Sequence, residues 1–164
     1  MIILGIDPGL ALMGFGVIDY SGGKHKLITY GVISTPAHTP IPCRLRSIYR
    51  GIRELIEKYS PEEIAFEELF FAQNVTTGIA VAQARGAALA ACAEYTENLY
   101  EYTPLQIKQA LTGYGRAEKQ QMQTMVKLML RMDEIAKPDD AADALAVAIT
   151  HANCRHAREM YKIQ

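Results

Sequence analysis

The chain is 164 residues long, 49% hydrophobic, with a formal net charge of −1 and a pI of about 6.4. That length suits a single domain over residues 1–164 with one sizeable core. No apolar run is long enough to span a bilayer, and MIILGIDPG, with no basic residues before its apolar stretch, reads as a core strand and not as a secretion signal, so the cytoplasm is expected. The near-neutral charge argues mildly against nucleic-acid binding, unless carboxylates that hold divalent cations account for the negative charge.

In chain order, Ile2 to Asp7 is apolar and β-branched and reads as a core strand. Met13 to Tyr20 and Lys26 to Thr35 read as strands joined by Ser21-Gly22-Gly23, a hairpin signal. Leu45, Ile48, Ile52, Leu55 and Ile56 recur at helical spacing, with Pro61 just past the helix. Glu63 to Glu67 is a short strand, and an alanine-rich helix covers about Thr77 to Glu94. Asn98 to Thr103 is extended, and Pro104 starts a short helix to Leu111. Gly113 and Gly115 mark a loop. Glu118 to Met132 is an amphipathic helix with Met122, Met125, Val126 and Met129 on one stripe. Pro138 opens a last helix to about Cys154. The order βββαβαβ followed by helices, with right-handed crossovers, predicts a mixed five-stranded sheet with helices on both faces, the α/β architecture of ribonuclease H-like domains.

Acidic residues carry the chemistry. Asp7 and Glu67 each end an apolar strand, where a charge needs a reason. Asp7 alone also suits capping of the Pro8-Gly9 turn. Ligand sites in open α/β sheets gather outside the carboxyl ends of strands, which favours a joint role. Asp140 and Asp143, three apart on a helix, share a face with only alanines between them. Helix-dipole complementarity explains Asp139 and Asp140 well and Asp143 less well, since it lies further into an apolar segment. Spacing alone leaves Glu67 against Glu68, and Asp139 against Asp140, undecided. Carboxylates from separate segments repel unless cations join them. Magnesium takes hard oxygen ligands, and two ions about 4 Å apart suit phosphodiester hydrolysis.

The odd number of cysteines (Cys43, Cys92, Cys154) points to reduced thiols. His151, Cys154 and His156 match no common zinc spacing and read as a helix end.

ILGIDPGLALMGFGVID (Ile3 to Asp19), IAFEELFFAQN (Ile64 to Asn74), QARG (Gln83 to Gly86), QIKQALTGYGRAEKQQMQ (Gln106 to Gln123) and PDDAADALAVAITH (Pro138 to His151) resemble, in order, the blocks of the RuvC family. The resemblance implies a ribonuclease H-like fold and a homodimeric, magnesium-dependent Holliday junction resolvase, with Mn²⁺ as a substitute. It implies paired symmetric nicks in four-way junction DNA during recombination and repair, with RuvA and RuvB as branch-migration partners. It places Asp7, Glu67, Asp140 and Asp143 as catalytic metal ligands for two ions, Asp7 bridging them, and makes Asp139 an addition. It also implies that Lys108 and Lys119 face the junction backbone and that Phe70 stacks on a base near the cleavage site.

From composition alone Lys108, Arg116 and Lys119 suit a solvated surface, although a glycine loop opening into a helix also places cations near phosphate. With the resemblance, they are expected to bind DNA. Two adjacent aromatics, Phe70 and Phe71, cannot easily both point inward. The helix from Val75 to Ala93, small and apolar on most faces, is expected to make dimer contacts that match a two-fold substrate. The rival readings are an RNA-processing nuclease of the same fold and an actin-like or sugar-kinase-like ATPase. The ATPase needs a second phosphate loop and domain for which the chain is too short.

Overall fold

The computed structural model describes residues 1–69, 75–154 and 157–164, with the side chains of Val75 and Thr76 left out. Strands β1 (Ile2–Asp7), β2 (Leu12–Ser21) and β3 (Lys24–Ser34) form an antiparallel meander. β4 (Glu63–Glu67) adds beside β1 and β5 (Leu99–Tyr102) beside β4, both parallel, giving the order β3-β2-β1-β4-β5. The two crossovers are α1 (Ile41–Tyr59) and α2 (Val75–Ala93). The chain ends with α3 (Pro104–Thr112), α4 (Lys119–Met129), α5 (Asp139–Asn153) and a 3₁₀ turn, Arg158–Tyr161. The expected mixed five-stranded sheet is observed.

Successive strand residues point to opposite faces, so the sheet feeds two cores. Leu4, Ile6, Ile64 and Phe66 pack with Ile48, Ile52 and Ile56 of α1 and Ala84, Ala88 and Cys92 of α2. Ile3, Ala65, Tyr100 and Tyr102 pack with α3, α4 and the buried length of α5. Helices therefore cover both faces.

The structure shifts several element ends from the sequence expectation and adds one element. α4 stops at Met129, because Leu130 caps it and Arg131 adopts a left-handed φ of 53°. The 3₁₀ turn, unforeseen, leads to a bridge between Lys162 and Tyr100 that covers part of the open edge of β5. α5 begins at Asp139, with Pro138 at its N-cap. Among the described residues, no helix is long and apolar enough to cross a membrane.

Candidate active site

Asp7 and Glu67 occupy the carboxyl ends of two adjacent parallel strands, in step with the pairing of Ile6 and Phe66. Glu67 faces the helix layer, while Glu68 is exposed. α5 brings Asp140 and Asp143 to the same end of the sheet. Sequence reading credited the alanines of α5 for its close approach. The structure adds glycines on the sheet side. A Cβ on Gly14, the ladder partner of Asp7, would lie 2.0 Å from the Asp140 carbonyl oxygen. On Gly5 it would lie 2.2 Å from the Ala144 carbonyl oxygen. These two glycines set the depth of the acidic helix. Their signal was present as glycine inside strands, which marks a close backbone approach.

The electrostatics follow from crowding four carboxylates into a half-buried site. Burial pushes the Asp7 carboxyl up from 3.8 to about 8, helped by the charges of Glu67, Asp143 and Asp140. Burial likewise raises Glu67 from 4.5 to about 7, with Asp143 adding repulsion and Lys119 and Lys108 opposing it. Asp143 is raised too, by burial, against the pull of Lys119. Lys119 Nζ stands 3.3 Å from Asp143 Oδ2 and 3.0 Å from Asp139 Oδ2. Asp139 also accepts from Gln123 Nε2 at 2.9 Å, and the lysine holds its carboxyl below the usual range. Asp139 is thus a surface partner of Lys119, 60% exposed, set apart from the half-buried acids.

Glu67, Asp143, Lys108 and Lys119 line one pocket together with Pro104, Ile107 and Met122. Two of the three expected cations therefore flank the carboxylates. Arg116 is exposed on the loop before α4 and lies outside that pocket. Phe70 and Phe71 fall outside the described residues.

The donor set, all hard carboxylate oxygens with charge that two lysines offset only in part, suits a divalent cation by its chemistry. As the side chains stand, no three acidic, histidine or cysteine groups among the described residues close around one point. Asp143 is instead turned to Lys119. The His151 region holds no such set. His151 is fully buried, with Nε2 at 2.6 Å from Glu63 Oε2 and Nδ1 at 2.8 Å from the Tyr102 hydroxyl, so both ring nitrogens are in use. His156 lies outside the described residues.

Sequence reading missed Arg44. It is 8% exposed and stands on the buried face of α1 in step with Ile48, Ile52 and Ile56. A charge in phase with an apolar stripe is the signal that would have found it.

The profile of the family Crossover junction endodeoxyribonuclease RuvC matches residues 3–151. The chain belongs to the RuvC family. The RuvC of Alkaliphilus metalliredigens (strain QYMF) is 51% identical over 164 residues, covering 100% of both chains. That of Clostridioides difficile (strain 630) is 52% identical over 162 residues, covering 99% of this chain and 96% of its own. Among solved structures, Thermus thermophilus RuvC in complex with Holliday junction substrate superposes with a TM-score of 0.90 at 37% identity, covering 98% of this chain and 96% of that one. The yeast mitochondrial Holliday junction resolvase shares the fold, with a TM-score of 0.70 at 14% identity, covering 98% and 82%.

Proposed function

We propose that this chain is a crossover junction endodeoxyribonuclease, a single nuclease domain over residues 1–164, that resolves Holliday junctions by paired symmetric nicks in recombination and repair. The observation that carries the reading is the meeting of Asp7 and Glu67, on adjacent strand ends, with the Asp140 and Asp143 face of α5 in a RuvC-family chain. A protein that only bound DNA would gain nothing from negative charge at the phosphate.

Asp7, Glu67, Asp140 and Asp143 would hold the divalent ions, two Mg²⁺ with Mn²⁺ as a substitute. Bound there, the ions supply the Lewis acidity that activates water and stabilises the leaving 3′-oxygen. The chain's own residues do the rest. The acids in this half-buried site hold protons into the neutral range, so loading the site displaces those protons. Lys119, which contacts Asp143 at 3.3 Å, would be free to direct its charge to the scissile phosphate where Asp143 serves a cation. Lys108, across the same pocket, holds the phosphate in register without reading sequence. Arg116 binds the backbone further along, and Phe70 stacks on a base beside the cleavage point. No covalent enzyme intermediate is needed, and the product is a nick with a ligatable 5′-phosphate.

A two-fold substrate calls for two sites. α2 buries Ala84, Ala88, Ala91 and Cys92 inward and exposes Ile79, Gln83 and Gly86 outward. That outer face suits a second copy of the chain. RuvA and RuvB are the expected branch-migration partners, in the cytoplasm.

The test is cleavage of a labelled mobile four-way junction, with duplex and single-strand controls, in Mg²⁺ and in EDTA. Symmetric nicks on the junction alone, lost in EDTA, are expected. Intact junctions with cleavage of RNA would overturn the reading in favour of an RNA-processing nuclease.

A further inference from the structure

Two grooves border the candidate site. One contains Lys108 and Lys119, already assigned. The other, of about 630 Å³, runs along Pro8 to Leu12, Ala80 and Val81, and reaches Asp140. Among the described residues, its one cationic lining residue is Arg44.

Arg44 is built into place. Its Nε donates to Thr35 Oγ1 at 2.8 Å and its Nη2 to the Thr35 carbonyl at 3.3 Å. The Thr35 hydroxyl in turn donates to the Leu10 carbonyl at 2.5 Å, on the turn that follows Asp7. A bracing role for the Leu10 turn uses those two nitrogens. It leaves two facts unexplained. Among the described residues, Nη1 has no acceptor, and the guanidinium has no ion pair. A cation more than nine-tenths buried ordinarily has an anionic partner. Arg44 lines the groove, and a guanidinium fork matches a phosphate.

We propose that Arg44 is a phosphate-binding residue. It takes a backbone phosphate of the cleaved strand on the far side of the carboxylates from Lys108 and Lys119. The strand then crosses the acidic site between two cationic holds, with the scissile phosphate centred between them. The proposal rests on the junction-cleaving reading above.

The experiment pairs the protein with modified DNA. Uncharged methylphosphonate linkages are placed one at a time on either side of the scissile phosphate. Binding and single-turnover cleavage are then measured for wild type, R44Q and R44K, with thermal melting as the check on folding. One linkage on one side should weaken wild-type binding about tenfold or more, as expected for a lost charge-assisted hydrogen bond. R44Q should lose the response to that linkage while still responding to linkages on the lysine side. Its salt slope for junction binding should be shallower by about one. R44K, which keeps charge without the fork, should retain part of the response. The proposal is overturned if wild type tolerates every linkage on one side, or if the linkage and R44Q effects simply multiply, as they would for a brace. If R44Q does not fold, R44K and the wild-type scan decide by the same criteria. Wild type that fails to cut unmodified junctions would instead sink the functional reading itself.

Discussion

Glu63 and Glu67 point from the same face of β4, four residues apart, and both reach towards α5, yet only one of them is matched. Glu63 is bonded to buried His151 and to Arg158. Glu67 meets Asp143 across a pocket and carries a raised pKa. One strand therefore holds one acid for stability and one for chemistry, and substitutions should separate them. E63Q is expected to lower stability by about 2–4 kcal/mol, because it leaves Arg158 and His151 without their charged partner. E67Q should leave the melting temperature unchanged or higher while cleavage falls below detection. Denaturant unfolding and junction cleavage on both variants check this, and a stable E63Q or an active E67Q would refute the division.

Asp7 should behave as a group held against its preference. Its folded pKa, about 8, lies above the ordinary 3.8, so the metal-free native state keeps a proton that the unfolded chain releases. The associated stability is full below about pH 4 and is lost as pH rises through about 8. D7N removes that loss. At pH 8 without metal it should be more stable than wild type by on the order of 1–2 kcal/mol, with solvent screening of the half-buried site already discounted. It should still bind junctions and should not cut them. Mg²⁺ should raise the wild-type melting temperature more at pH 8 than at pH 6, and D7N should respond less. Equal Mg²⁺ shifts in the two proteins would count against Asp7 as a ligand.

The depth of α5 is set by backbone contact, so Gly14 is a point of leverage. G14A puts a methyl group where the Asp140 carbonyl oxygen already lies, 2.0 Å away. The helix must shift, at a cost of about 1–3 kcal/mol or more. Because Asp140 itself is displaced, cleavage should fall further than the stability loss explains. Comparing kcat at a temperature where both proteins are fully folded is the check. Unchanged kcat would show that the acidic helix tolerates displacement.

Much of this fold was legible in the sequence, and the reasons are local. The strand ending at Asp7 and the strand Glu63 to Glu67 stand out because their apolar runs end in a charge. Helical spacing puts Asp139 or Asp140 on one face with Asp143, and the family resemblance selects Asp140. What was not legible depends on contacts between distant segments. Glycines at positions 5 and 14 signal a close backbone approach inside strands, but what approaches them shows only once α5 is laid across them. Arg44 reads as one basic residue in a basic helix until its phase with Ile48 is related to burial. Asp139 and Asp140 are neighbours that the structure separates by burial and by the reach of Lys119. The 3₁₀ turn and the bridge to Tyr100 have no periodicity to announce them.

His151 should set part of the acid limit of stability. Burial lowers its pKa below 6.5, against the opposing pull of Glu63, so the native state holds the ring neutral. A neutral ring donating from Nε2 to Glu63 and accepting at Nδ1 from the Tyr102 hydroxyl satisfies both contacts. The unfolded chain takes up a proton near pH 6.5, and the native state resists it. The contribution of His151 is therefore complete above about pH 6.5 and lost as pH falls towards the lowered native value. H151Q keeps a polar group in the site without a titrating one. It should be less stable than wild type at pH 8, and the gap should narrow between pH 7 and pH 5. Chemical denaturation at a series of pH values gives the two slopes. Parallel curves across that range would mean that His151 does not titrate with unfolding and that another group sets the acid limit.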